Sequence, residues 1–457
     1  MPVGEREAAC RTADPARCRE RPARMLAASP GAKAQRAFAP VAALLLFAYP
    51  MIVLVIPGGM NTAFFLLLLG SLTVWTTTRL DPPGKLEAHD PLPRGLGLAY
   101  AWAMAGLPLA VFVGEVTSHL WGWQRYDAVS RFLLAVPIFW CLRRLRTDLL
   151  SRWRLGVIAG AGVGLGAVVL DPRDWGSGRL GTSFVNPIHF GDIALTLGML
   201  AVAGAGWSSR RERLLTVASV GALLAGIVAS ALSGSRGGWV ALPGFALFGW
   251  LELRRRLSRL QAGVVFVALV AALAGVYGAI PEIHQRIGLI AANLRAYAHG
   301  HDDTSIGIRF QLWKAAWLLF TEHPLFGVGM GGFKAMMTPL QQAGVLTPLA
   351  ADFGRQEVHN EILSRLSQLG LVGLAAILAV YLVPGWMFLR RLNDTAADVR
   401  AAARMGLILV WGFFVYGLTV ETFDLTMTAA FYALTVAVLL ALTYPRVPRD
   451  PAPCSAS

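Results

Sequence analysis

Arg236 is the first of three residues whose type and surroundings suit an anionic substrate. It lies in the stretch SGSRGGW, and no other charged residue occurs between Arg213 and Glu252. A guanidinium suits a phosphate because its planar donor fork pairs with two oxygens and stays charged. Glycine and serine neighbours, Ser235 among them, allow close backbone approach and expose N–H groups. The pattern favours a phosphate site, and the alternative is an arginine that reaches lipid headgroups.

Arg309 lies near the start of a predicted helix, within the stretch DTSIGIRFQLWKAAW. Thr304 and Ser305 are candidate caps for this helix. A helix start adds backbone N–H donors and a dipole that favours an anion. The stretch therefore predicts a second anion-binding arginine, and the alternative is an exposed arginine on an amphipathic helix.

His359 is the candidate for proton transfer, in the stretch QEVHNEILSRLSQLGLVGL. Apolar residues from Val358 to Leu369 recur at helical spacing, which predicts a helix with His359 at the edge of its buried stripe. Near a helix start the dipole disfavours the imidazolium, so a neutral ring could accept a proton as a general base. The alternative is a partly buried structural histidine. The neighbouring Asn360 could orient the ring or cap the helix.

Two weaker features complete the candidate chemistry. The stretch HGHDDTS groups His299, His301, Asp302 and Asp303, but its spacing fits no strong zinc or calcium motif. A solvated polar loop is the better interpretation, so the sequence predicts neither a metal nor a cofactor. Lys334 could add positive potential for an anionic substrate.

The elements that position these residues are predicted to be membrane helices. The chain has 457 residues, of which 55% are hydrophobic and only 15% are charged, whereas soluble domains average roughly a quarter charged residues. Apolar runs of about twenty residues are long enough to cross a hydrocarbon core. The fold class is therefore an all-α integral membrane protein with about twelve transmembrane helices. The predicted spans are 38–56, 60–75, 96–114, 132–142, 155–170, 188–206, 214–232, 239–251, 262–280, 370–389, 405–420 and 425–442.

The distribution of basic residues orients this bundle. Loops such as RRLRTDLLSRWR and SSRRER are basic, whereas the opposite loops PGGMN and ETFD contain no basic residue. The positive-inside rule then places both termini in the cytoplasm, with no cleavable signal peptide evident. The net charge of +14 is explained by these loops and tails, without nucleic acid as a partner.

The long outer connection is polar and contains helix-like patterns, which predicts a small helical periplasmic domain between spans nine and ten. The predicted organisation is a cytoplasmic basic tail, nine spans, the periplasmic domain, three spans and a second cytoplasmic tail. These units cover residues 1–37, 38–280, 281–369, 370–442 and 443–457.

Several short motifs together resemble the O-antigen ligase and polymerase superfamily of bacterial envelope glycosyltransferases. They are SGSRGGW at 233–239, GIRFQLWKAAW at 307–317, EHPLFGVGMGGF at 322–333 and HNEILSRLSQLGLVGL at 359–374, with a looser GTSFVNPIHFGD at 181–192. Each motif is weak alone, but their order, their spacing and the long outer loop make the combination fairly specific. Outside these motifs the first five spans match the family only in hydropathy.

The resemblance implies transfer of a glycan from undecaprenyl diphosphate to a sugar hydroxyl of lipid A-core. The site would lie on the periplasmic face of the bacterial inner membrane, in lipopolysaccharide biosynthesis. Arg236 and Arg309 are implied to hold the diphosphate, and His359 is implied to be the base. With two arginines against the leaving group a divalent metal is not required. Direct displacement would invert the anomeric centre. The expected partners are the lipid-linked donor, the lipid A-core acceptor and membrane lipids.

Three other functions remain open at this stage. An O-antigen polymerase would use the same carrier but a carrier-linked acceptor. A protein O-oligosaccharyltransferase would use a Ser or Thr hydroxyl, and those enzymes tend to extend further beyond the last span, which disfavours this alternative. A transporter or flippase for an anionic solute would need ionisable residues near the bilayer midplane and paired broken helices. Here the suspicious charges cluster at the outer face.

Overall fold

The computed structural model describes residues 29–79, 92–118, 121–145, 152–176, 178–204, 210–253 and 295–446, with scattered positions between 258 and 293. These residues are predominantly helical, and one two-stranded antiparallel hairpin occurs among them. The membrane-type helices are α1 Pro30–Ile52, α2 Gly59–Arg79, α3 Arg94–Ser118, α4 Ser130–Leu142, α5 Trp153–Leu170, α6 Pro187–Ala203, α7 Arg210–Leu232, α8 Leu242–Leu253, α12 Glu361–Leu389, α13 Ala397–Gly417 and α14 Thr426–Thr443. Strands β1 Arg173–Asp174 and β2 Leu180–Gly181 form the hairpin, and helices α9 Ser305–Glu322, α10 Gly332–Gln342 and α11 Pro348–Gly354 precede α12.

The described helices confirm an all-α membrane protein. Eight of them are long and apolar enough to cross a membrane, and three shorter apolar helices accompany them. These eleven helices overlap the predicted spans one to eight and ten to twelve. The predicted span 262–280 lies largely outside the described residues. The exact number of spans and the domain boundaries therefore stay predictions.

The last helix, α14, forms the centre of the bundle, because its residues from Thr428 to Ala441 are buried. Aromatic rings fill the space around its first half. The Phe413 and Phe423 rings stack at 5.8 Å, and Tyr432 lies 5.1 Å from Phe423. The Tyr432 hydroxyl donates to the carbonyl of Val380 at 3.0 Å, which satisfies the polar end of a buried ring.

A second, smaller core lies outside the bundle, between α9, α10 and α11. Its buried members include Leu312 of α9, Met337 of α10 and Ala350 of α11, and it also contains Val358. The segment before α12 therefore begins in the small core and continues into the bundle.

Helix α12 is broken at Gly370, whose φ of 63° and ψ of −153° are not helical. Inside a bilayer, backbone groups freed by a break need partners within the protein. The loop before α10 supplies them. The amide of Leu371 donates to the carbonyl of Pro324 at 2.9 Å, and the amide of Val328 donates to the carbonyl of Ser367 at 3.0 Å. The HPLFGVG motif thus supplies hydrogen-bond partners for backbone groups at the break. The span predicted to start at residue 370 belongs to a longer helix that starts at Glu361.

The loop between α13 and α14, residues 418–424, is named the clamp loop because it holds the start of α12. The Glu421 carboxylate accepts from the amide of Val358 at 2.5 Å and from the Ser364 hydroxyl at 2.8 Å. In the other direction, the amide of Phe423 donates to the Glu361 carboxylate at 2.9 Å. The last two spans therefore fix the segment that carries His359.

A buried ion pair lies at this junction. Arg365 Nε lies 2.7 Å from Glu361 Oε1, and both side chains are at most 1% exposed. Burying two charges costs several kcal/mol per ion before their attraction offsets it, so the pair depends on its geometry. Both carboxylate oxygens of Glu361 are bonded, one to Arg365 and one to Phe423. Either partner alone would leave a buried charge.

Replacing Gly370 should destabilise the bundle. A Cβ there would lie 2.3 Å from the carbonyl carbon of Leu325, in a conformation that side chains rarely adopt. Backbone strain of this kind costs about 1–3 kcal/mol before the clash is counted. We expect Gly370→Ala to lower the apparent melting temperature in lipid nanodiscs by several degrees. Gly162→Ala is the control, because a Cβ at that helical glycine meets nothing within 4 Å. Equal effects of the two substitutions would contradict the prediction.

Glu421 should make stability depend on pH. Burial, followed by the charges of Asp424 and Glu361, raises the pKa of Glu421 to about 8. The folded protein then binds a proton that the unfolded chain has released above about pH 4.3. The free energy of unfolding should therefore fall as pH rises from about 4.3 to 8, by at most about 1.4 kcal/mol per pH unit.

The variant Glu421→Gln keeps a neutral side chain and should flatten this pH dependence. Melting curves from pH 5 to 8 would be compared for the wild type, Glu421→Gln and Glu322→Gln, whose carboxylate lies at the exposed end of α9. Parallel curves for all three proteins would show that Glu421 does not carry the effect.

Candidate functional site

His359 has an unusual backbone conformation. It is the one non-glycine residue in the described part of the chain with a positive φ, at 58°. The prediction that His359 lies on a helix is therefore wrong, because α12 begins two residues later at Glu361. Asn360 is the N-cap, and its side chain accepts from the amide of Leu363 at 3.0 Å. Strained conformations of this kind persist where the surrounding structure fixes them, and they cluster at functional sites.

The imidazole of His359 faces a carboxylate. His359 Nδ1 lies 2.6 Å from Glu357 Oε1, and the two side chains are 14% and 22% exposed. The second oxygen of Glu357 accepts from the backbone amide of Glu421 in the clamp loop, at 3.2 Å. A base held by an oriented third group is the arrangement that activates a hydroxyl. With Nδ1 on the carboxylate, Nε2 is the nitrogen that would face an acceptor.

The charge of Glu357 is stabilised by its neighbours. Burial is the largest single effect and raises the pKa of this carboxyl, but His359, the Glu421 amide and His189 together bring it below its usual value. The carboxylate form is therefore favoured beside the imidazole. A negative charge at that position stabilises the imidazolium that forms when His359 takes a proton.

Arg309 lies within electrostatic reach of the same carboxylate. It lies in the second turn of α9, where Thr304 is the N-cap and accepts from the amide of Gly307. Burial lowers the pKa of the Arg309 guanidinium, Glu357 raises it and the positive charge of Arg179 lowers it further. Glu357 therefore acts electrostatically on Arg309 and lies beside His359. Two guanidinium groups within electrostatic reach of each other favour a ligand that brings negative charge.

The hairpin that carries Arg236 packs between α6 and the clamp loop. Gly234 has a φ of 64°, and Arg236 is exposed at the turn. A Cβ at Gly237 would lie 2.5 Å from the Thr419 hydroxyl, and one at Gly238 would lie 2.4 Å from a carboxylate oxygen of Asp192. The glycines are thus needed for close contact, as the sequence suggested. Arg236 and His359 are both carried by segments that contact the clamp loop.

Helix α6 contributes two buried polar residues beneath this hairpin. His189 and Asp192 are 4% and 3% exposed, one turn apart. Asn186 caps the helix by accepting from the amides of Ile188 and His189. Within the described residues neither carboxylate oxygen of Asp192 has a hydrogen-bond partner. The GTSFVNPIHFGD motif therefore places its polar residues at the same end of the bundle as His359.

Two of the predicted supporting residues are not joined to the His359 cluster. Ser235 is 3% exposed and its amide donates to the Ser233 hydroxyl at 3.2 Å, so it shapes the hairpin. Lys334 is exposed on α10, and no contact with His359 occurs in the described part of the chain. In the HGHDDTS stretch, the Asp303 carboxylate accepts from the Thr347 hydroxyl at 2.6 Å, which ties that loop to α11.

Sequence reasoning missed Glu357 and Glu421 as parts of the site. Glu357 lies two residues before His359, so a search for carboxylates near the imidazole could have found it. Glu421 gave no such signal, because it lies 63 residues from Val358, whose amide it accepts. Arg179, whose charge acts on Arg309, was also missed.

The combined arrangement can remove a proton and hold an anion. The His359–Glu357 pair offers a base with an orienting carboxylate, and Arg309 offers a cation within electrostatic reach of that carboxylate. Such a pairing suits attack by a hydroxyl on a centre whose leaving group becomes more negative.

Comparisons with known proteins place the chain among its relatives. The chain is 26% identical over 229 residues to an uncharacterised protein of Haemophilus influenzae, covering 48% of this chain and 56% of that protein. The chain thus spans little more than half the length of this relative.

A family model described as O-antigen ligase matches residues 221–378. That stretch contains Arg236, Arg309, Glu357 and His359, whereas the clamp loop lies beyond it. The chain is thus similar to the O-antigen ligase family over residues 221–378, which confirms the predicted resemblance to the O-antigen ligase and polymerase superfamily.

Proposed function

We propose that this protein is an O-antigen ligase of the bacterial inner membrane. It transfers a glycan from undecaprenyl diphosphate to a sugar hydroxyl of lipid A-core, on the periplasmic face and with both termini in the cytoplasm. The family match supports a glycosyltransferase of the ligase and polymerase type. The choice of donor, acceptor and face is the proposal.

One observation carries the proposal: the imidazole of His359 lies 2.6 Å from the carboxylate of Glu357, whose charge also acts on the guanidinium of Arg309. A ligase needs a base for the acceptor hydroxyl and a cation for the departing diphosphate, close enough to act on one reacting centre. The arrangement supplies both, at the end of the bundle where α12 begins.

In the proposed reaction, His359 Nε2 takes the proton of the acceptor hydroxyl as its oxygen attacks the anomeric carbon of the donor. The bond between that carbon and the phosphate oxygen breaks, and undecaprenyl diphosphate leaves with the electron pair. Glu357 stabilises the imidazolium and holds the ring in place through Nδ1. Attack from the side opposite the leaving group inverts the anomeric centre.

Arg309 and Arg236 bind the diphosphate in this proposal. Charge grows on the phosphate oxygens as the bond breaks, so preorganised cations stabilise the transition state more than the ground state. Burial lowers the pKa of Arg309, which is consistent with a site whose electrostatics are completed by an anionic ligand. The two guanidinium groups supply the positive charge, and the proposed reaction is therefore metal-independent.

The proposal is tested by a reconstituted transfer assay with variants of His359 and Glu357. Purified protein in nanodiscs would receive undecaprenyl-diphosphate-linked O-antigen and lipid A-core, with a chelator present. We expect ladder-modified lipopolysaccharide from the wild type and a loss of about 10²–10⁴-fold in rate for His359→Ala. Glu357→Gln should lose less. The double variant should be no slower than His359→Ala, because the carboxylate acts through the ring.

The control for this experiment is His323→Ala, which removes an exposed imidazole at the end of α9. Elongated carrier-linked glycan in place of modified lipid A-core would make the protein a polymerase. Activity that disappears with the chelator and returns with a divalent metal would contradict the metal-independent mechanism. Transfer unaffected by His359→Ala would remove the histidine from the mechanism.

Arg309 should contribute through both charge and geometry. We expect Arg309→Ala to lower kcat/KM for the donor by about 10²–10³-fold, the loss typical for one preorganised donor to a developing anion. Arg309→Lys should recover only part, since an ammonium cannot pair with two oxygens at once. Steady-state kinetics with Lys314→Ala as control would check this, because Lys314 is an exposed cation on the same helix. A Lys314→Ala loss as large as that of Arg309→Ala would indicate general electrostatic attraction.

A further inference from the structure

The hairpin between α5 and α6 holds a tryptophan in a fixed position. Strands β1 and β2 pair Arg173 with Gly181 and Asp174 with Leu180. Trp175 follows β1, and its indole Nε1 donates to the carbonyl of Thr182 at 3.1 Å. A Cβ at Gly181 would lie 2.6 Å from the carbonyl oxygen of Val185 and 3.0 Å from that nitrogen, so the backbone and the indole both approach this glycine closely.

The ring of Trp175 is nevertheless half open. Its polar edge is used by the hydrogen bond to Thr182, yet the residue is 51% exposed. An aromatic ring that is fixed before a ligand arrives loses little conformational entropy on binding. Trp175 is therefore a rigid apolar platform whose polar edge is already satisfied.

Polar groups surround this platform. A pocket of about 430 Å³ is lined by Arg173, Asp174, Trp175, Thr182 and Ser183, which is within the range of roughly 300–1,000 Å³ for small-ligand sites. It combines an aromatic face, a carboxylate, a guanidinium and two hydroxyls. The Arg173–Asp171 contact of 3.5 Å is between exposed groups, so it constrains Arg173 little.

This combination matches the chemistry of a sugar ring. A pyranose has an apolar face of C–H groups that can pack on an indole, and hydroxyls at its rim that need donors and acceptors. In the pocket, Asp174 accepts from the amide of Gly176 through Oδ1 at 2.8 Å, which fixes the carboxylate. Arg173, Ser183 and Asp174 then offer both donors and acceptors around the ring.

The hairpin is connected to the candidate site from two sides. Its return strand is preceded by Arg179, whose charge acts on Arg309. The chain then continues into α6, where His189 is among the charges that act on Glu357. The pocket therefore lies on the segment that joins two parts of the candidate site.

We propose that the pocket formed by Arg173, Asp174, Trp175, Thr182 and Ser183 binds a pyranose unit of a saccharide substrate, with Trp175 as the stacking platform. The identification of that saccharide as donor glycan or acceptor core rests on the proposed ligase function. The stacking site itself does not. A saccharide held here is anchored on the hairpin while another part of the substrate reaches Arg309 and His359.

The test separates saccharide binding from transfer. Protein in nanodiscs would be titrated with two soluble probes, O-polysaccharide and core oligosaccharide, each released from lipopolysaccharide and free of lipid. Binding would be followed by saturation-transfer NMR. We expect one probe to bind and Trp175→Ala to raise its Kd by about 3- to 10-fold, the effect of one aromatic contact. Trp175→Phe should keep most of the affinity, because it retains an aromatic ring.

Trp123→Ala is the matched control, since Trp123 is 93% exposed on another loop of the bundle. It should bind like the wild type. If the wild type binds a probe but shows no transfer, and Trp175→Ala loses that binding, the result would support the pocket and overturn the ligase function. Transfer with unchanged affinity in Trp175→Ala would overturn the pocket alone. A variant that binds normally but inserts less stably into lipid would make Trp175 a membrane-interface anchor.

Discussion

The geometry of this site depends on two glutamates, one before α12 and one in the clamp loop. Each accepts a hydrogen bond from a backbone amide of the segment that carries the other. Glu357 accepts from the amide of Glu421, and Glu421 accepts from the amide of Val358. His359 follows directly and adopts a left-handed backbone, which costs about 1–3 kcal/mol in a residue other than glycine. Asn360 then begins α12 as its cap. The reciprocal carboxylate–amide contacts thus hold the histidine in a conformation that no local preference would select.

The buried charges at this junction act mainly by fixing the positions of the segments around them. Glu361 and Arg365 are buried together, and a buried pair of this kind contributes little net stability because its desolvation offsets its attraction. Its more direct consequence is positional. The amide of Phe423 donates to Glu361 while Glu421 accepts from Val358 and Ser364, so the clamp loop is bonded to the start of α12 at three points. The network therefore fixes the last two spans relative to the start of α12.

The candidate site lies where two separately packed cores meet. Val358 belongs to the small core of α9 to α11, whereas Leu369 of α12 belongs to the bundle core. The loop 324–329 bonds to α12 at its break, so the small core is joined to the membrane helix through backbone hydrogen bonds. A site at such a junction can receive one group from the outer helices and another from the bundle. That arrangement would suit the proposed reaction, in which donor and acceptor are both lipid-anchored.

The class of fold and the residue types of the candidate site could be predicted from the amino-acid sequence alone. Apolar runs of about twenty residues specify membrane helices locally, so eleven predicted spans overlap described helices. Short motifs also identified Arg236, Arg309 and His359 as candidates. The partners of these residues depend on the three-dimensional packing, because Glu421 lies 63 residues from Val358 and no periodicity within one segment encodes that contact. The position of His359 before the helix was also not predictable from the sequence. Helical spacing indicates which side chains are buried, but it does not indicate at which residue the helix begins. The break at Gly370 could not be predicted from the local sequence either, because the backbone amides that it frees donate to a loop more than forty residues earlier in the chain.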